Sequence, residues 1–249
     1  MKKNLKSAIC IFLIAAFIVF CFSGCIVVSL SEPGGINARG NQETYEIKVG
    51  SFNAIRTEGS FDIHYYAAPS DTVTLLVQPN VREYIIIEVV NNELVIRTTR
   101  RISFGSGRTP VLTVSTPVLN RVSIQGAGDF TAHDKITADS LEFIITGAGN
   151  GKAELDVNRL SIEISGAGDL NLSGRANSAN FAVSGAGDVK ALELQTIDST
   201  IRLSGAGDIS ISCSENLNIN ASGAGSIRYR GSPRINQNTS GPISIRQVN

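Results

Sequence analysis

Four aspartates, Asp129, Asp169, Asp188 and Asp208, recur at the same place in a glycine-rich pentad. A regular file of carboxylates offers two kinds of chemistry. Oxygens stacked one above another can coordinate calcium between repeats, as units of the GGxGxD type do. A pair of carboxylates can also act as acid and base in cleaving a polysaccharide. The pentads read QGAGD at 125, TGAGN at 146, SGAGD at 165, 184 and 204, and SGAGS at 222, so Asn150 and Ser226 stand where the others have Asp. Neither brings a charge, yet both can hydrogen-bond to backbone. That favours a third role, in which each side chain accepts turn N–H bonds from its own backbone. Carboxylates stacked about 4.8 Å apart repel by roughly 1 kcal/mol even in water, so something must offset them. An active site breaks a repeat, whereas these aspartates belong to it, and the chain has no Trp to stack on sugar rings.

Other reactive side chains are sparse. His64 and His133 are the only histidines and lie in different repeats without ligand spacing, which reads as surface or half-buried packing. Arg97, Arg100, Arg101 and Arg108 gather in RTTRRISFGSGRTP, a Gly-Ser connection whose sharper reading is a contact for an anionic partner such as a lipid headgroup or acidic polymer. Its GxG lacks the Lys and helix of a phosphate loop. Cys213 falls at an even offset from Gly205 and reads as an inward, inert thiol. No cofactor or cysteine metal site is expected.

The elements that hold the pentads are legible from spacing. Their first glycines are 126, 147, 166, 185, 205 and 223, with a worn seventh copy at Gly241 in SGPIS. A period near 19 residues is the signature of a solenoid whose units bury apolar surface only against their neighbours. Counting from each first glycine, offsets −4, −2 and +4 are apolar, as in Phe181, Val183 and Val189. Side chains alternate along a strand, so these even offsets share one inward face. Extended chain through the pentad turns both glycines inward, where the strand bends too near the core for a Cβ, and turns Ala and Asp outward.

Residues 47–118 are less regular. Ile55, Thr57, Gly59, Phe61, Asp62 and Ile63 repeat the pentad's parity as a diverged coil. VTLLV and YIIIEVV read as strands, and Asn91-Asn92 before ELVIRT marks a hairpin turn. This half is expected to cap one end of the solenoid, while the worn copies at 223 and 241 blunt the other.

The first 25 residues read as a targeting segment: basic MKKNLKS, apolar AICIFLIAAFIVFCF, then Ser23-Gly24-Cys25. This resembles a bacterial lipoprotein signal, in which the Cys is lipidated and becomes the new N-terminus; Phe22 replaces the usual Leu. Residues 8–30 are also long enough to be an uncleaved membrane anchor. Both readings export the body, because the lysines hold the N-terminus inside. Residues 26–46 read as a polar spacer. Beyond the leader 19 basic residues face 22 acidic ones, so the body has no general pull on nucleic acid.

Together the leader, FNAIRTEGSFDIHY, NNELVIRT and the serial SGAGD units resemble the bacterial putative auto-transporter adhesin head GIN domain family over about residues 45–249. The resemblance implies an all-β, right-handed β-helix-like solenoid over 47–249, with 119–249 as the repeats, on an envelope-attached protein. It carries over no catalytic residues. The expected function is non-catalytic: a lipoprotein presenting a solenoid surface for adhesion or envelope contacts. The alternatives are an accessory or sensor protein docking another envelope protein and, further off, a carbohydrate-active enzyme.

Overall fold

Apolar residues at every second position make β-strands, and a 19-residue recurrence of that pattern makes the strands stack. The computed structural model describes residues 35–105 and 108–249, which form a nearly all-β body; the leader, Cys25 and the first part of the spacer lie outside the described residues. The irregular half contains β1 (Ile36–Asn37), β2 (Glu43–Ile47), β3 (Ala54–Gly59), β4 (Asp62–Ala67), β5 (Thr72–Val77), a one-turn helix α1 (Pro79–Arg82), β6 (Ile85–Val90), β7 (Glu93–Thr98), β8 (Ile102–Ser103) and β9 (Val111–Thr116). The repeats contribute β10 (Arg121–Gly126), β11 (Phe130–Ala132), β12 (Ile136–Ile145), β13 (Gly151–Ile164), β14 (Leu170–Val183), β15 (Val189–Leu203), β16 (Ile209–Ala221), β17 (Gly225–Arg230), β18 (Arg234–Thr239) and β19 (Ile243–Gln247).

Successive repeats pair in parallel, so the apolar offsets become columns. Ile55, Val122, Phe143, Ile162, Phe181, Ile201 and Ile219 lie in register on neighbouring strands and are all buried. Burying each such side chain contributes roughly 1.5–3 kcal/mol before entropy is counted. The Phe130 and Phe143 rings meet edge to face at 5.4 Å. Gly151 makes room for this pair, since a Cβ there would come within 2.7 Å of the Phe143 ring.

The pentad forms a bend between strands, and the inward parity survives it: Gly168 is buried and Ala167 exposed. The reason for glycine differs from the expected one. A Cβ on Gly166 would lie 1.8 Å from the carbonyl oxygen of Gly147, so the crowding comes from the coil below and not from the core. Gly185 meets Gly166 in the same way, as Gly205 meets Gly185. Six pentads repeat because each coil must let the next approach.

The diverged coil takes its place in the stack, but out of chain order. β3 lies between β7 and β10, and β4 between β9 and β11, all parallel. The chain lays β7 and β9 on one side of the 54–67 coil and then passes it to begin β10 on the other. Antiparallel strands cover that end: β6 on β7, β5 on β9 and β2 on β5. The β6–β7 hairpin turns at Asn91 and Asn92, with φ of 52° and 63°, the left-handed pair that such a turn requires. The body begins earlier than residue 47, because β1 pairs with β8 and β2 joins the cap. Alternating Tyr45 and Ile47 pack on the core, which a free spacer would not do.

At the other end the inward columns turn polar, from Ile219 to Gln237 and from Ala221 to Thr239. This weakens the core without closing the edge. Among the described residues β18 pairs with β16 alone and β19 with β17 alone.

Candidate functional site

The aspartates form one continuous ladder on the outside of the bend. The backbone N–H of Asp129 donates to Asp62 Oδ1 at 3.0 Å, Asn150 to Asp129 at 2.9 Å, and Asp169 to Asn150 at 3.0 Å. Asp188 donates to Asp169 at 3.1 Å, Asp208 to Asp188 at 2.9 Å, and Ser226 to Asp208 at 2.9 Å. Each side chain therefore holds the backbone of the next coil, not of its own turn, which corrects the expectation from sequence. The cause is the parallel stacking: a residue leaving a bend points its N–H along the solenoid axis, where the equivalent side chain of the preceding coil waits. The carbonyls close the link in the other sense, as when Leu170 N–H donates to Asp188 O at 2.8 Å.

Two of the ladder's other carboxylate oxygens meet cations. Lys190 Nζ lies 3.0 Å from Asp169 Oδ2, and an Arg228 guanidinium nitrogen 3.2 Å from Asp208 Oδ2. Burial pushes the Asp169 carboxyl up, but the Lys190 hydrogen bond and the Asp188 N–H outweigh it and hold the group below its ordinary range. The Asp169 hydrogen bond in turn raises Lys190. These contacts, and the neutral Asn150 within the file, offset the repulsion between stacked carboxylates. Every Oδ1 of the aspartates is committed to the N–H of the next coil. Among the described residues no three His, Cys, Asp or Glu side chains converge as a metal cluster would require.

The remaining candidates fall elsewhere. His64 and His133 meet across adjacent coils, with Nδ1 and Nε2 2.7 Å apart, and Tyr66 stacks on the outer face of His133. His64 is half-buried and His133 exposed. Sequence spacing hid this pair, because the two lie 69 positions apart and the chain between them makes an excursion to the other side of the 54–67 coil. Arg97 lies in β7 and pairs with Glu88 at 3.1 Å, while Arg100 stacks over Tyr84. Arg101 and Arg108 contribute backbone carbonyls, to Ile36 N–H and Gln42 Nε2. The four arginines are thus spread over a strand and a strand-paired loop. Cys213 is buried, with Sγ 3.2 Å from the Ile197 and Asn216 carbonyls.

A second ladder escaped the sequence reading. Asn158 Nδ2 donates to Asp139 Oδ1 at 3.1 Å and Asn177 Nδ2 to Asn158 Oδ1 at 2.8 Å. It stands where two consecutive residues, such as Asn158 and Arg159, are both exposed and the alternation slips by one. The recurrence of Asp, Asn and Asn eight residues before the pentad glycines 147, 166 and 185 was the available signal. Beside it runs a groove of about 540 Å³ across four coils, lined by Glu142, Arg159, Ser161, Asn180 and Thr200.

A solenoid of this coil length, capped by antiparallel strands and carrying a pentad ladder, can be set beside known proteins. Residues 51–233 match the family described as putative auto-transporter adhesin, head GIN domain. The chain belongs to this family. A putative adhesin from Bacteroides fragilis is 26% identical, with a TM-score of 0.80 over 86% of this chain and all of that one. A putative lipid binding protein from Parabacteroides distasonis, 23% identical, has a TM-score of 0.71 over 86% of this chain and all of its own. A putative adhesin from Parabacteroides merdae, 21% identical, has a TM-score of 0.68 over 87% of this chain and all of its own. At those lower identities the likeness shows the fold alone. No curated protein matches the chain. Membership of the head GIN domain family points to an exported, surface-associated protein, and no enzyme is among these descriptions. Among the described residues no helix is long and apolar enough to cross a membrane.

Proposed function

We propose that this head GIN domain protein is a lipid-anchored, non-catalytic component of the bacterial envelope. Its solenoid is a stiff, repetitive surface for adhesion or for contacts within the envelope. The observation that carries this reading is the ladder itself. The carboxylates whose spacing most resembled a catalytic or calcium site are tied to the next coil, so they serve length and rigidity. The leader supports the anchor, with Ser23-Gly24-Cys25 placing a lipidated Cys25 ahead of a short tether. A lipid on that residue holds the body at a membrane without a spanning helix.

Two measurements test the reading. Cys25→Ser should leave the precursor unlipidated, seen as loss of labelled fatty acid; lipid retained on the variant contradicts the anchor. The body from residue 35, offered to solubilised envelope, should capture the same partner as a form with Asp129, Asp169, Asp188 and Asp208 changed to Asn. Loss of capture in a folded variant contradicts a structural ladder.

The groove across the coils gives the accessory or sensor reading its support. Its mixed charges, Glu142 and Arg159, suit one docked protein better than a uniform surface. A single stoichiometric partner lost on changing both residues would favour that reading over adhesion.

A further inference from the structure

The two ends of the solenoid differ in hydrogen bonding. Antiparallel strands cover the first coil, but the last, β18 and β19, is paired on one side only among the described residues. Its outward groups follow from the ladder pattern. Ser240 N–H donates to Ala221 O, so even-numbered residues of β18 point their backbone groups back to β16. The N–H and C=O of Ile235, Gln237 and Thr239 therefore point away from the solenoid. The protection is slight: apart from Arg234 at its start β18 has no charge, it has no Pro within it, all six of its residues are exposed, and Ile235 is left 40% exposed.

We propose that this edge is a dimer interface, at which β18 pairs antiparallel with β18 of a second copy of the chain. Outward groups must face outward groups, which puts the two-fold axis at Gln237. Gln237 then faces its twin, Ile235 faces Thr239, and Asn236 faces Asn238. Arg234, the only charge on the strand, falls opposite Ser240, so no like charges meet. Three outward residues on each strand supply six backbone hydrogen bonds across the axis. The amide contact of Asn236 with Asn218 extends toward the partner's amides. The covered first coil makes the association close as a pair and not grow into a fibre. A self-complementary, nearly neutral strand fits a second copy better than it fits an acidic segment, which would find one arginine on it.

The test is sedimentation of the body from residue 35 across a concentration series. That body is a compact unit from Gly34 onward, and a solved relative matches 86% of the chain over its own full length. A concentration-dependent dimer is expected. Gln237→Pro removes an outward N–H and leaves the bonds to β16 intact, while Ile235→Lys puts a charge on the edge without touching the backbone. Each should weaken self-association roughly tenfold or more. Gln237→Cys should cross-link to its twin on oxidation, faster than Asn236→Cys, because a hydrogen-bonded pair brings its Cα atoms within disulfide range. A native body that stays monomeric throughout overturns the proposal. So does a dimer that survives both edge variants, or equal cross-linking at 236 and 237.

Discussion

The backbone N–H of Asp208 donates to Oδ1 of Asp188 at 2.9 Å, joining residues 20 apart in sequence and one coil apart in space. The bond needs an acceptor at that place but not a charge, and Asn150 fills the same role in the same ladder. Asp188→Asn should therefore cost little. Asp188→Ala leaves the part-buried Asp208 N–H without its partner and should cost about 1–2 kcal/mol in urea unfolding. Equal losses in the two variants would mean that the charge, not the acceptor, matters.

Glycine at the pentad is required by the neighbouring coil. Gly166→Ala places a Cβ on the Gly147 carbonyl and should destabilise by about 3 kcal/mol or more, since backbone must move. Ala167→Ser, on the exposed side of the same bend, should change stability by less than about 0.5 kcal/mol. A tolerated Gly166→Ala would contradict the crowding between coils.

Acid should loosen the Asp169–Lys190 contact. Asp169 binds its proton less readily in the folded chain than in the unfolded one, so the unfolded chain takes up more protons as pH falls. The contribution is complete above the ordinary carboxylate range and disappears as pH drops through the lowered folded value. With about half of each side chain exposed, solvent screens the pair and its contribution is small. Lys190→Met should therefore be less stable than the native chain at neutral pH and converge with it once the pH has fallen through that lowered value. A difference that persists at low pH would assign the effect to packing.

Cys213 should react with a thiol reagent only on unfolding. Its sulfur is buried, with two backbone carbonyls against it, so a reagent has no path to it in the native body. Rapid labelling of the native body would show that this part of β16 opens.

Much of the fold was legible because a solenoid writes its geometry into a period. Offsets −4, −2 and +4 named the core columns, and the parity of Phe61 and Asp62 identified the diverged coil. Contacts made by the chain's return were hidden. His64 and His133 are neighbours only because β7 and β9 lie on the far side of the 54–67 coil, an order that no local pattern records. The ladder's partners were misread for a related reason. A side chain near a glycine bend looks like a turn cap in sequence, and only stacking puts the next coil's N–H nearer than its own. The asparagine ladder was visible in the period, but lay where the alternation slips.

The central claim, that the aspartate ladder fastens coil to coil and is not a ligand site, is most directly tested by urea unfolding with calcium and with chelator. The native body is compared with one in which Asp129, Asp169, Asp188 and Asp208 are all Asn. The claim predicts that both fold, that their stabilities differ by no more than about 1 kcal/mol per site, and that calcium changes neither midpoint. A native midpoint that rises with calcium while the Asn form does not respond would make the ladder a metal site and contradict the claim.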